Sequence, residues 1–185
     1  MEWIVLGVLV LLLLWLVVIY NRLVALRQTA NQSWADIEVQ LKQRHDLVPN
    51  LVETVKGYAV HERATLEAVT AARNGAVAAR GPEQASVAEG QLGAALGRLF
   101  ALSEAYPDLK ANTNFLSLQS ELSTVENTLA AARRFFNNSV SEYNAAIQSI
   151  PAVFFAASVG FTQRGFFELD DAERALTKNA PQVKF

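Results

Sequence analysis

The pattern of apolar and polar positions opens with a continuous run. From Trp3 to Tyr20 the segment WIVLGVLVLLLLWLVVIY holds no charged residue, and only Gly7 in it is not apolar. As a helix it is about 27 Å long, close to the hydrocarbon thickness of a bilayer. Fourteen of its eighteen residues are Leu, Ile or Val, each worth roughly 0.3–0.6 kcal/mol at the centre of an inserting helix, so insertion is favoured. Trp3, Trp15 and Tyr20 are the aromatic side chains of this anchor, with Trp3 and Tyr20 placed for the two interfaces. A cleaved signal peptide needs a basic start and a small-residue cleavage site. Here Glu2 precedes the run and Asn21-Arg22-Leu23-Val24 follows it, which predicts a retained anchor. A helix apolar on all sides within a soluble core would need partners around its whole circumference, more than so small a body supplies. Arg22 and Arg27 after the run, against Glu2 before it, predict an outside N-terminus and a cytoplasmic body.

Beyond residue 20 the period becomes helical. Leu23, Leu26, Ala30, Trp34, Ile37 and Leu41 are followed by Val48, Val52 and Val55, then by Leu66 and Val69, in steps of three and four. From Phe115 a seam runs through Leu118, Leu122, Val125, Leu129, Ala132, Phe136, Val140, Tyr143, Ile147 and Ile150. It alternates three and four except for one four-four stutter, as in a bundle or coiled coil. Nothing alternates with period two for long enough to make a sheet. Gly81-Pro82 starts a helix, Pro107 ends it after Tyr106, and Asn112, Thr113 or Asn114 can cap the next. Pro151 ends the long helix. The chain is therefore expected to be all-α, one N-terminal transmembrane helix followed by an up-down bundle of long amphipathic helices. Its divisions are an anchor at 1–21, a helical bundle at 22–150, and a Phe-rich segment and tail at 151–185 that ends in PQVKF.

Pro49 leaves two arrangements open. The three-four spacing passes through it nearly in phase, which fits one kinked helix. Element lengths point the other way. A split at Asp46–Pro49 gives pieces at 22–46, 50–76, 83–105 and 114–150, which close as an up-down bundle. A continuous first helix would be about 80 Å long and would leave its lower stripe, with Trp34, to a partner chain. The split bundle is the favoured expectation. It brings Tyr143 and Ile147 back to the first helix and sets the Phe-rich segment close to the bilayer.

Composition narrows the function classes. The 185 residues carry 18 acidic and 16 basic side chains and no cysteine. A body this size is one domain. Near-neutral charge with scattered Lys and Arg gives no field to attract nucleic acid. Without cysteine there is no disulfide, thiolate nucleophile or thiolate-held metal. His61-Glu62 resembles the start of a zinc helix, but Thr65 occupies the second histidine's place. No Glu-x-x-His pairs mark a di-iron bundle. His45 lies on the apolar stripe, where a hydrogen-bonded histidine at a helix contact is the plainer reading than a ligand. Gly90, Gly93 and Gly97 fit no nucleotide loop, and Gly93, Ala94 and Gly97 are expected to let two helices approach closely. No G-x-S-x-G frames a serine nucleophile.

The mixed charges between Lys42 and Glu67 (Lys42, Arg44, Asp46, Glu53, Lys56, Glu62, Arg63) are expected to form a solvated face with weak ion pairs. Asn114, Asn127, Asn137, Asn138 and Asn144 would add specificity wherever they lie between helices. Phe154, Phe155, Phe166 and Phe167 serve either core filling or interfacial contact.

Several blocks resemble the LemA family. They are Tyr20-Asn21, Val39 to Lys42, Arg44 to Val52 (RHDLVPNLV), Val55 to Ala59 (VKGYA) and Ala105 to Lys110 (AYPDLK). Asn114-Phe115, Leu118-Gln119, Glu121-Leu122, Glu126-Asn127, Ala132-Arg133-Arg134, Tyr143-Asn144, Gly160-Phe161 and Phe167-Glu168 continue the match. Small departures are Phe136, where the family often has tyrosine before asparagine, and Ile150 before Pro151, where it often has phenylalanine. The resemblance covers nearly the whole chain. It implies a bacterial single-pass inner-membrane protein with a helical-bundle body and no established enzymatic activity. A magnetosome-associated relative implies a role in membrane organisation, and neighbouring membrane metalloproteases imply an adaptor or regulator as an alternative.

The resulting expectation is a non-enzymatic scaffold without cofactor, metal or small-molecule substrate. Its partners are the bilayer and either further copies of itself or other envelope proteins. Trp34, His45, Pro49, Tyr106, Phe115 and the four phenylalanines are the candidate contact residues. A metal-dependent hydrolase using His45 and His61 is the alternative from another class.

Overall fold

The computed structural model describes residues 1–59 and 61–168, so the closing PQVKF lies outside it. Among the described residues the regular elements are all helical. They are α1 (Glu2–Lys56), α2 (Arg63–Ala78), α3 (Gly81–Ser103), α4 (Pro107–Lys110) and α5 (Thr113–Gln148), followed by two 3-10 turns at Ala152–Phe154 and Ala157–Val159. The punctuation is local. α3 opens on Gly81, whose φ of 72° suits glycine, with Pro82 in its first turn. The Gln84 side chain accepts the Arg80 N–H at 3.1 Å, taking up one donor freed at that end. Asn112 is the cap of α5, its Oδ1 accepting the Phe115 N–H at 3.0 Å.

The chain forms two compact units, Met1–Asp36 with Arg134–Gly165, and Ile37–Arg133 with the residues from Phe166 on. Of the second unit's closing stretch only 166–168 are described. In the first unit, α1 and the end of α5 share a core of Leu23, Tyr143, Ile147, Ala152, Ala156 and Phe161. Tyr143 and Ile147 thus meet the first helix. Trp34 lies against Phe136 with ring centroids 5.4 Å apart, so the lower stripe of α1 is covered by the chain's own α5 and needs no second copy. In the other unit, Val48, Leu51 and Val55 of α1, Leu66 and Val69 of α2, Leu92, Leu96 and Leu99 of α3, Leu109 of α4, and Phe115 and Leu122 of α5 fill one core. α2 and α3 make a helical hairpin across Ala79-Arg80.

The split at Pro49 does not occur. α1 runs through it to Lys56, and the chain turns instead at Gly57–Glu62. The reason lies in the backbone hydrogen bonds. A helical carbonyl takes the N–H four residues on, and for His45 that residue is Pro49, which has none. Arg73, on α2, supplies the missing donor: its Nε lies 3.1 Å from the His45 carbonyl oxygen. With that acceptor satisfied, the apolar stripe stays in phase across the proline, with Leu41, Val48, Leu51 and Val55 all buried.

Arg73→Ala leaves that carbonyl without a donor and should cost about 1–3 kcal/mol. In a Pro49→Ala chain residue 49 regains its N–H, and the same substitution should cost measurably less. Denaturation of the four chains followed by helical circular dichroism checks this. Equal losses in both backgrounds would show that Arg73 acts through something else.

Candidate functional site

Two adjacent residues of α1, Arg44 and His45, turn inward where an apolar stripe would otherwise continue. Arg44 is 5% exposed and His45 8%. Glu89 on α3, also buried, receives both. Arg44 Nη1 donates to Glu89 Oε2 at 2.9 Å, and His45 Nε2 lies 2.5 Å from Glu89 Oε1. Glu89 thus engages both side chains, one through each carboxyl oxygen. Arg44 Nη2 donates to Glu126 of α5 at 2.6 Å. One guanidinium therefore joins α1, α3 and α5, while the His45 carbonyl joins α1 to α2.

A Cβ at Gly93, one turn beyond Glu89, would come 3.5 Å from Arg44 Nη2, an ordinary contact distance. Nothing lies within 4 Å of such an atom at Gly97. The expected backbone approach through Gly93, Ala94 and Gly97 is thus corrected: Gly93 borders an arginine, and Gly97 and Ala94 are exposed. A groove of about 450 Å³ opens beside the cluster, with Glu89, Gly93, Glu126, Asn127, Arg133 and Phe167 among its walls.

Buried ions need partners, because desolvation exceeds what a single imperfect contact returns. Among the described residues no buried side-chain nitrogen or oxygen lacks one. The cluster is saturated: Arg44 and His45 are both committed to carboxylates. Such an arrangement holds α1, α3 and α5 in register.

The expected solvated face needs one correction. Lys42, Asp46, Glu53, Lys56, Arg63 and Glu67 are exposed, but Arg44 is interior. Glu62 is half-buried and accepts the Tyr106 hydroxyl at 3.4 Å. Lys42 bonds Asp46 and holds its carboxyl below the ordinary value of 3.8, so this pair supports the fold above that range and stops doing so as the pH falls through the lowered value.

The remaining candidates separate. Trp3, Trp15 and Tyr20 are exposed along the apolar run, and none of the spanning window is buried. α1 is the one described helix long and apolar enough to cross a membrane. Trp34 and Tyr106 are half-buried, Pro49 is exposed, and Phe115 is buried with its ring 6.2 Å from Phe100. Phe167 is buried and Phe155 half-buried, whereas Phe154 and Phe166 are exposed. His61 is exposed in the turn before α2, while His45 is buried against Glu89. Among the described residues no three His, Asp or Glu side chains are grouped as a metal would require.

Sequence reading misses a second polar fastening, in the first unit. Asn144 brackets Arg164, its Nδ2 donating to the Arg164 carbonyl at 2.9 Å and its Oδ1 accepting the Arg164 N–H at 3.0 Å. The Tyr143 hydroxyl donates to the Thr162 carbonyl at 3.0 Å. These bonds replace a backbone ladder and bind the irregular segment after Gly160 to α5.

Residues 33–185 match the model of the LemA family. The magnetosome protein MamQ of Magnetospirillum gryphiswaldense is 27% identical over 174 residues, covering 80% of this chain and 64% of MamQ. Magnetosome proteins MamQ 1 and MamQ 2 of Paramagnetospirillum magneticum are each 25% identical over 175 residues, with the same shares. The chain thus spans under two thirds of the length of these relatives.

Glu89→Leu leaves buried His45 without its carboxylate and Arg44 with Glu126 alone, and should destabilise the fold by about 3–5 kcal/mol. Adding Arg44→Met to it should recover much of the loss, since an apolar pair needs no desolvated partner. Thermal unfolding in detergent measures both. A double variant no more stable than Glu89→Leu would refute the ion-pair account.

Proposed function

The chain belongs to the LemA family, and on that premise we propose that it is a membrane-anchored helical scaffold of the bacterial inner membrane that makes no bonds of its own. It joins copies of itself or other envelope proteins and contributes to membrane organisation or envelope homeostasis. The observation that carries the reading is α1. Its wholly exposed apolar window continues, without a helical break, into the stripe that fills a core. An exposed surface of that size is stable in lipid and costly in water. Arg22 and Arg27 beyond the window favour an outside N-terminus and a cytoplasmic body.

The saturated cluster around Glu89 supports a structural role for the buried charges. The magnetosome naming of the relatives supports membrane organisation as the setting. A long helix that covers one stripe with its own chain still presents other faces, and exposed side chains such as Val39, Leu116 and Phe135 are available for contact with further chains.

The full chain should resist alkaline carbonate extraction and require detergent. After gentle solubilisation, mass photometry should show multiples of the 20.3 kDa protomer or stable complexes with envelope proteins. A strictly monomeric species that carries nothing with it would contradict the scaffold.

A further inference from the structure

Within the first unit α1 and α5 run antiparallel and in step. Trp34 lies on Phe136, and Leu23 shares a cluster with Ile147. Eleven residues toward the N-terminus on one helix therefore correspond to eleven toward the C-terminus on the other. One more brings the end of α5, Gln148, level with Arg22, two residues from Tyr20, where the apolar run ends. The turns that follow stay at that level. Phe161 meets the Tyr20 ring edge-on at 5.5 Å, and Ile19 packs against the same cluster as Ala152 and Ala156.

These turns are built inside out for a segment in water. The inward positions are Ala152, Ala156 and Phe161, with Phe155 half-buried beside them, while the other large apolar side chains of the segment are exposed. Ile150 and Phe154 are each 79% exposed, and Val153 and Val159 are exposed as well. No charged residue occurs between Glu142 and Arg164. The nearest charges on α1 are the exposed Arg22 and the half-buried Arg27, and the Arg27 guanidinium lies 4.8 Å over the Phe161 ring. Apolar side chains below a basic collar are the composition of an interfacial membrane contact.

We infer that the 150–159 segment is a second lipid contact, with Ile150, Val153 and Phe154 seated in the leaflet that Tyr20 reaches. This rests on the anchoring reading of α1. The occupant is the bilayer because the patch continues the exposed apolar surface of the span at the level where that span ends. Two insertions on either side of one helix would also limit its rotation and tilt in the membrane.

The chain has no cysteine, so single environment-sensitive NBD labels can be placed in the full-length protein in phosphatidylcholine–phosphatidylglycerol vesicles. The sites are Phe154→Cys, Ile150→Cys, Leu12→Cys in the span and Val87→Cys as an exposed control. The labels at 150 and 154 should emit several-fold more strongly and further to the blue than that at 87, and brominated lipids should quench them. Watery emission at 150 and 154 with a lipid-buried Leu12→Cys label overturns this inference alone. Watery emission at residue 12 overturns the anchoring reading and this inference with it. Circular dichroism checks each labelled chain, and if one of the two sites perturbs the fold the other decides the outcome.

Discussion

One carbonyl oxygen constrains the body of this protein. Pro49 removes the N–H that the His45 carbonyl would take, and the helix survives because Arg73 reaches across from α2 to replace it. The side chains of Arg44 and His45 extend the same knot to α3 and α5 through Glu89 and Glu126. Each of these contacts depends on the others. The carboxylate needs its two donors, the guanidinium needs its two acceptors, and the carbonyl needs a cation positioned by a neighbouring helix. Apolar packing alone would hold the four helices together without selecting a register, whereas a buried polar network penalises any slip that leaves a charge unpaired.

That constraint bears on function. A helix broken at Pro49 would separate the apolar run from the residues that fill the core beyond it. In the unbroken α1 one element carries the exposed apolar window, the stripe under Trp34 and the inward-facing Arg44 and His45. The buried titratable groups Arg44, His45 and Glu89 are engaged in holding helices together. The irregular segment after α5 follows the same logic. Side chains of Tyr143 and Asn144 satisfy backbone groups at Thr162 and Arg164 that no helix could serve.

Much of this is legible in the residues. The apolar run, the three-four seam from Phe115 and the breaks at Pro82, Pro107 and Pro151 each carry a local signal that tertiary context does not override. The return of Tyr143 and Ile147 to α1 follows from element lengths. Pro49 misleads because its penalty is local while its remedy is not: the compensating donor lies 28 residues from His45. A carbonyl orphaned four residues before a proline that sits in phase with an apolar stripe is a signal to look for such a donor. Arg44 reads as a solvated charge because its neighbours Lys42 and Asp46 are solvated. What distinguishes it is adjacency to the stripe position His45. The Asn144 fastening has no local sequence signal, since its partner is backbone.

The central claim is that α1 is a single helix across Pro49. Spin labels at Val39→Cys and Lys56→Cys in the full chain in liposomes test it by pulsed dipolar spectroscopy. Seventeen helical residues separate the backbones by about 25 Å, and one narrow distance distribution around that value, allowing for the label arms, is the predicted result. A markedly shorter distance, or two populations, would mean that the helix divides at the proline and would contradict the account.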